Sequence, residues 1–180
     1  MAATSPGGWL WGRLSRYGLL IAGLVFLIDQ AHKWWIVHVV KLEDKGRIAV
    51  APFLDFIYTL NPGISYGLFP QAAREGQLLL AAFALLVALG LWIYLARGGG
   101  GRTAATGLGL IIGGAVANAL DRLIYSGVVD YIQPHALGLR WPYIFNIADV
   151  AIVAGVGLLL YDSLWPNRRE RQQTPAAAGH

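Results

Sequence analysis

Four long apolar runs divide the chain. The first covers about residues 17–40 and is interrupted by Asp29 and Lys33. The second, residues 77–96, carries no charge. The third, residues 104–125, stays apolar until Asn118. The fourth, residues 143–165, holds Asp149 near its start and Asp162 near its end. Each run is long enough, as a helix, to cross roughly 30 Å of hydrocarbon. Between the first two runs the pattern changes. The stretch RIAVAPFLDFIYTLNPGISYGLF is rich in Ile, Val, Phe and Tyr, with turn signals at Pro52 and at Asn61-Pro62-Gly63. It reads as a few short strands over about residues 44–70, too broken to span a membrane and too apolar for a free loop. The expected fold is a mainly α membrane protein, a four-transmembrane-helix bundle with a small β-sheet element on the outer membrane surface. One integral membrane domain is expected over residues 1–166, followed by a polar, disordered tail at 167–180. Arg13 and Arg16 ahead of the first run resemble the start of a cleavable signal peptide. No A-x-A-like site follows, so the run is read as a retained anchor.

Composition strengthens the membrane assignment. Of 180 residues, 56% are hydrophobic and 13% charged, where a soluble domain has about 25% charged residues. Mean hydropathy is +0.52. The absence of cysteine excludes disulfides, a thiol nucleophile and thiolate metal ligands. The net charge of +4 is scattered among apolar segments, unlike the continuous basic face of a nucleic-acid binder, so no nucleic-acid partner is expected. Four spans put both termini on one side. Lys and Arg near span ends number seven on that side and five on the other. This bias predicts cytoplasmic termini. Most of the tryptophans lie near span ends, as interfacial aromatics do.

With those directions, the polar residues inside the runs collect at one depth. Asp29 and Lys33 fall in the second half of an outward span. Asn118, Asp121 and Arg122 fall near the end of the next outward span, and Asn146 and Asp149 in the first turns of the inward one. Asp130 lies between those two spans. Ionisable residues within a membrane are costly and are usually paired and functional. Plainer roles exist for each. Asp29 and Lys33, four apart, can pair on one helix face. Asp121 and Arg122 can form a helix-end salt bridge, Asp130 can cap a turn, and Asp149 can accept an interhelical hydrogen bond. Gly109 and Gly113 give the third span a small-residue face for close packing. His32, His38 and His135 lack metal-ligand spacing, so neither metal nor cofactor is expected. Gly63-Ile64-Ser65-Tyr66-Gly67 matches the G-x-S-x-G pattern of serine hydrolases, but without a strand–turn–helix context or a base it reads as a turn.

Two carboxylates held close in a low-dielectric site share a proton, so one can activate water while the other protonates or polarises the substrate. Asp121 and Asp130 are both candidates to partner Asp149; Arg122, beside Asp121, is expected to hold that carboxylate ionised. The motifs DQAHK (29–33), NPGISYGLF (61–69), GGAVANALDRL (113–123), VVDYI (128–132) and FNIAD (145–149) together resemble the bacterial lipoprotein signal peptidases, or signal peptidase II. The resemblance implies an aspartic endopeptidase of the inner membrane, with its active site toward the periplasmic face. Such an enzyme cleaves diacylglyceryl-modified prolipoproteins just before the lipidated cysteine. It implies a catalytic dyad at Asp130 and Asp149, and supporting roles for Asp29, Lys33, Asn61, Gly63, Asn118, Asp121, Arg122 and Asn146. It further implies membrane lipids as surroundings and inhibition by globomycin, a cyclic peptide that occupies the dyad. The chain is expected to act as a monomer, with residues 41–75 a candidate mobile cover. Pro62 and Tyr66 depart from the family's usual motif. The alternative from another class is a small proton-coupled transporter, whose site would lie near mid-membrane and open to both faces.

Overall fold

The computed structural model describes residues 10–63, 70–71, 73–136 and 139–165. Helix α1 (Ser15–Trp34) runs on as a π-helical segment, Trp35–Val40, ending at Lys41 in the left-handed conformation (φ 51°). A short helix α2 (Leu42–Lys45) leads into strands β1 (Arg47–Ala51) and β2 (Leu54–Asn61). Then follow α3 (Arg74–Ala96), α4 (Arg102–Tyr125), β3 (Val128–Ala136), a two-residue β4 (Leu139–Arg140) and α5 (Ile147–Leu164). The helical stretches Ser15–Val40, α3, α4 and α5 are long and apolar enough to cross a membrane.

Helix α4 is the hub. Over half of its apolar window (56%) is buried, against 17% for α3 and for α5, and it packs against α1, α3 and α5. Its small residues explain this. A Cβ on Gly109 or Gly113 would lie 2.8 and 2.5 Å from the carbonyl oxygens of Gly18 and Ala22 in α1. On another face, a Cβ on Gly107 or Gly114 would meet the carbonyls of Gly155 and Ala148 in α5 at 2.8 and 2.6 Å. Helices in lipid gain no hydrophobic drive toward one another, so close backbone approach supplies the packing. The outward leucines of α3, such as Leu79, Leu86 and Leu89, are exposed on the bundle surface, where lipid would cover them. Gly113→Leu is expected to destabilise the detergent-solubilised protein by at least about 1–3 kcal/mol through overpacking. Gly23→Ala, where an added Cβ meets nothing within 4 Å, is expected not to lower the melting temperature.

The sheet sits at one end of the bundle and is antiparallel in the order β1-β2-β3-β4. Only β1 and β2 come from the stretch expected to form strands. Residues 44–45 belong to α2, and the other two strands come from the connection between α4 and α5. Alternation along β3 sorts its side chains. Val129 and Tyr131 are fully buried with Ile36 and Leu42 in an apolar cluster under the sheet. His32 stacks on Tyr131 (ring centroids 5.0 Å) and meets Phe56 edge-on, so it serves as an aromatic filler. Asp130, between Val129 and Tyr131, points to the other face, toward Asn61 and the N-terminus of α5.

Candidate active site

Three local features bring the polar residues together. The first is the β2–β3 register, with Thr59 opposite Asp130 and Asn61 opposite Val128. Asn61 is thus the diagonal neighbour of Asp130 on the same face, within reach of a polar side chain. The second is a backbone bridge from Ile132 to Phe145 (N–O distances 2.8 and 3.1 Å), which ties the entry of α5 to β3. The third is the α5 N-terminus. Asn146 is its N-cap, its side chain accepting from the Asp149 amide at 2.9 Å, while the Asp149 carboxylate accepts from the Asn146 amide at 3.3 Å. This capping box satisfies amides that the first turn would otherwise leave unpaired, and it fixes the direction of Asp149.

Each of the two carboxylates is gripped by asparagines. Asp130, 2% exposed, accepts from Asn146 Nδ2 at 2.7 Å and Asn61 Nδ2 at 3.0 Å. Asp149 accepts from Asn118 Nδ2 at 2.9 Å. Asn146 Nδ2 also reaches Asn118 Oδ1 at 3.2 Å, linking the two halves. Burial, and after it the charge of Asp149, pushes the Asp130 carboxyl up to about 7, against the opposing pull of its amide donors.

Beside them lies a buried ionic cluster. Lys33 Nζ sits 2.8 Å from Asp29 and 2.7 Å from Asp121, all three side chains at most 2% exposed, and it donates to Asn118 Oδ1 at 3.1 Å. That bond leaves the Asn118 NH₂ group facing Asp149. Asp29 also accepts from the Ala148 amide of α5 at 2.8 Å, and Asp121 from the Val129 amide of β3 at 3.1 Å. The cluster therefore joins α1, α4, α5 and β3 and satisfies another first-turn amide of α5.

The expected hold of Arg122 on Asp121 is corrected here. Adjacent residues on a helix point about 100° apart. Arg122 turns to its own helix and to the connection after β2, donating to the carbonyl oxygens of Asn118 (3.0 Å) and Gly63 (2.7 Å). Asp121 turns to Lys33 instead. Two residues escaped the sequence reading. Gln30 donates to Asp121 at 2.8 Å, and Gln77, in α3, donates to two loop carbonyls. The available signal was an uncharged amide within or beside an apolar run. Ser65 and the rest of the G-x-S-x-G pattern after Gly63 lie outside the described residues, as do Tyr66 and the turn before Pro70.

Asn61, Asn118, Arg122, Asp130 and Asp149 together line the polar end of a groove of about 690 Å³ between α3, α4 and α5. Its remaining wall is apolar, with Leu80, Phe83 and Val87 from α3, Ile152 and Val153 from α5, and Trp141 at the sheet end. An extended peptide with an apolar attachment fits such a mixture. The polar end can orient a peptide bond while the helices hold the rest.

A family model and the similar protein sequences point to one family. The family model described as signal peptidase (SPase) II matches residues 21–165. A lipoprotein signal peptidase of Rhodopseudomonas palustris is 46% identical over 153 residues, covering 83% of this chain and 92% of that protein. One from Beijerinckia indica is 42% identical over 165 residues, covering 91% and 96%. Among solved structures, a bacterial membrane enzyme determined by the in meso method at 1.9 Å resolution superposes with a TM-score of 0.70 at 26% identity, covering 84% of this chain and 95% of that one. A second, at 2.3 Å resolution, has a TM-score of 0.68 at 24% identity and covers 92% and 94%, and so supports the fold.

Proposed function

Because the chain belongs to the signal peptidase II family, and is thus a peptidase that removes signal peptides in lipoprotein maturation, we propose that Asp130 and Asp149 are its catalytic dyad. The observation that carries this reading is their convergence, from β3 and from the first turn of α5, on the polar end of one groove. In the proposed mechanism the two carboxyls hold one proton between them. The ionised one takes a proton from water, whose oxygen attacks the scissile carbonyl. The protonated one donates to the carbonyl oxygen. The tetrahedral intermediate then collapses, and a proton passes to the departing amine. Asn61, Asn118 and Asn146 hold the carboxyls in place, and the Lys33 cluster and Arg122, through Gly63, support those asparagines.

The substrate is a prolipoprotein bearing a diacylglyceryl group on cysteine, cut immediately before that residue. The apolar walls of the groove suit both an apolar signal segment and acyl chains. The excess of Lys and Arg near the chain-terminal ends of the spans supports cytoplasmic termini and a periplasmic polar end, in the inner membrane. Transport has no comparable support, since the buried charged side chains among the described residues gather toward the sheet end.

Cleavage of a synthetic lipidated prolipopeptide, with the products weighed by mass spectrometry, tests the reading. A cut elsewhere than before the lipidated cysteine, or activity lost to EDTA, would count against it. The Asp130 value also sets a pH dependence. The mechanism needs a protonated carboxyl, and Asp130 surrenders its proton as pH rises through about 7. Thus kcat/KM is expected to be sustained near neutrality and to fall about tenfold per pH unit above it. A profile still flat at about pH 9 would remove Asp130 from the acid role.

A further inference from the structure

Gln77 lies in the first turn of α3, inside a run otherwise suited to lipid, and is completely buried. Its carboxamide nitrogen donates to the carbonyl oxygens of Pro62 (2.6 Å) and Gln71 (2.7 Å). These residues stand at the two ends of the connection between β2 and α3. They also bond directly, the Gln71 amide to the Pro62 carbonyl at 3.0 Å. Gly76 permits the approach, since a Cβ there would fall 2.6 Å from the Gln71 side chain. Gln77 Oε1 is buried without a hydrogen-bond partner. An apolar side chain would avoid that cost, so the amide is explained by its two donated bonds rather than by packing.

Those bonds lead into the site. Pro62 precedes Gly63, whose carbonyl is held by Arg122 at 2.7 Å and whose amide donates to Asn61 Oδ1 at 2.9 Å. With Oδ1 engaged there, the Asn61 NH₂ group is left facing Asp130. Arg122 holds this loop from α4, and Gln77 holds it from α3.

We propose that Gln77 is a positioning residue for peptide cleavage: by clamping Pro62 and Gln71 it fixes Gly63 and thereby aims the Asn61 amide at Asp130. This rests on the reading of Asp130 as a member of the dyad. A role in folding alone would change stability without touching the chemistry of Asp130. A role in aiming Asn61 changes the pH profile too. The Asn61 bond favours ionised Asp130, so loosening it moves the alkaline limb of kcat/KM to higher pH.

The test uses the full-length enzyme in detergent with the lipidated prolipopeptide, comparing wild type, Gln77→Met, Asn61→Leu, the double variant and Asp130→Asn. Gln77→Met is expected to lower kcat by roughly 10- to 100-fold through misplacement of the site, with little change in KM. Its alkaline limb should move upward, in the same direction as that of Asn61→Leu. The double variant should be no slower than Asn61→Leu alone. A folded Gln77→Met enzyme with the wild-type limb overturns the proposal, as do penalties that multiply in the double variant. Should Gln77→Met not fold, Gln77→Asn, which keeps the amide but withdraws it by one methylene, takes its place; failure of both assigns the amide to folding and also overturns the proposal. Full activity in Asp130→Asn would instead remove the dyad reading on which the clamp rests, a result distinct from any of these.

Discussion

Asp130→Asn and Asp149→Asn are each expected to lower kcat for a lipidated prolipopeptide by roughly 10²–10⁴-fold or more, the range associated with a lost general acid or base. KM is expected to change little, because the loss falls on the transition state rather than on binding. The substitutions keep shape and most contacts. At position 130 an asparagine would still accept one of the amides that grip Asp130, and at position 149 an asparagine can still accept from the backbone amide of Asn146. Both variants should therefore insert and fold, and their melting curves in detergent are the control. The effects should not multiply in the double variant, since the two groups act as a unit. Near-wild-type cleavage by either single variant would end the dyad assignment. Asp121→Asn is the informative contrast. Its carboxylate is occupied by Lys33, Gln30 and the Val129 amide, so its loss should appear first as reduced stability.

The largest stability effect is expected at Lys33. Replacing it with methionine leaves Asp29 and Asp121 buried together without a cation. Breaking one side of a buried ion pair typically costs about 3–5 kcal/mol, and here two carboxylates lose the same partner. Lys33→Met is expected to reduce the yield of folded protein and lower its thermal midpoint sharply. Lys33→Arg should also be poorly tolerated, because a planar guanidinium cannot replace a compact ammonium that reaches Asp29, Asp121 and Asn118 at once. Adding Asp29→Asn and Asp121→Asn to Lys33→Met should recover much of the stability by removing the stranded charges, without restoring activity, because Asn118 has lost the donor that sets its orientation. An unchanged midpoint in Lys33→Met would mean that the cluster is solvated and not the joint it is taken to be.

What could be read in the sequence follows the range of the forces involved. The four apolar runs are local signals, and helices fill them, with the ends shifted by a few residues. The pairing of Asp29 with Lys33 was legible because helical spacing puts the two on one face; the Asn146–Asp149 step was legible from its three-residue spacing, although a capping box with Asn146 in extended backbone, and not a shared helix face, makes the contact. Contacts between distant segments were not. Strand β3 was not legible, and Asp130 could be placed only between two spans. Val-Val-Asp-Tyr-Ile lacks clean alternation, because both faces of this strand are covered, and Pro134 argues against a strand. Its partner β2 lies some 70 residues earlier in the chain. The exchange of partners at Asp121 was invisible for the same reason, since Lys33 comes from another helix. The convergence of Asp130 and Asp149 was inferred from depth and family likeness; the β3-to-Phe145 bridge supplies its physical cause.

The glycines of α4 have a consequence for how such a protein can diversify. Two faces of this helix are pressed against the backbones of α1 and α5, and neither admits a larger side chain without moving a neighbour. The strip of α4 open to the groove is occupied by Ala115, Asn118 and Arg122, two of which hold the site together. Lineages adapting to different substrates therefore have little freedom to write the change on the central helix. The variation has to be recorded on the groove-facing sides of α3 and α5, around Leu80, Phe83, Val87 and Val153, where a side chain can grow or shrink without disturbing the frame.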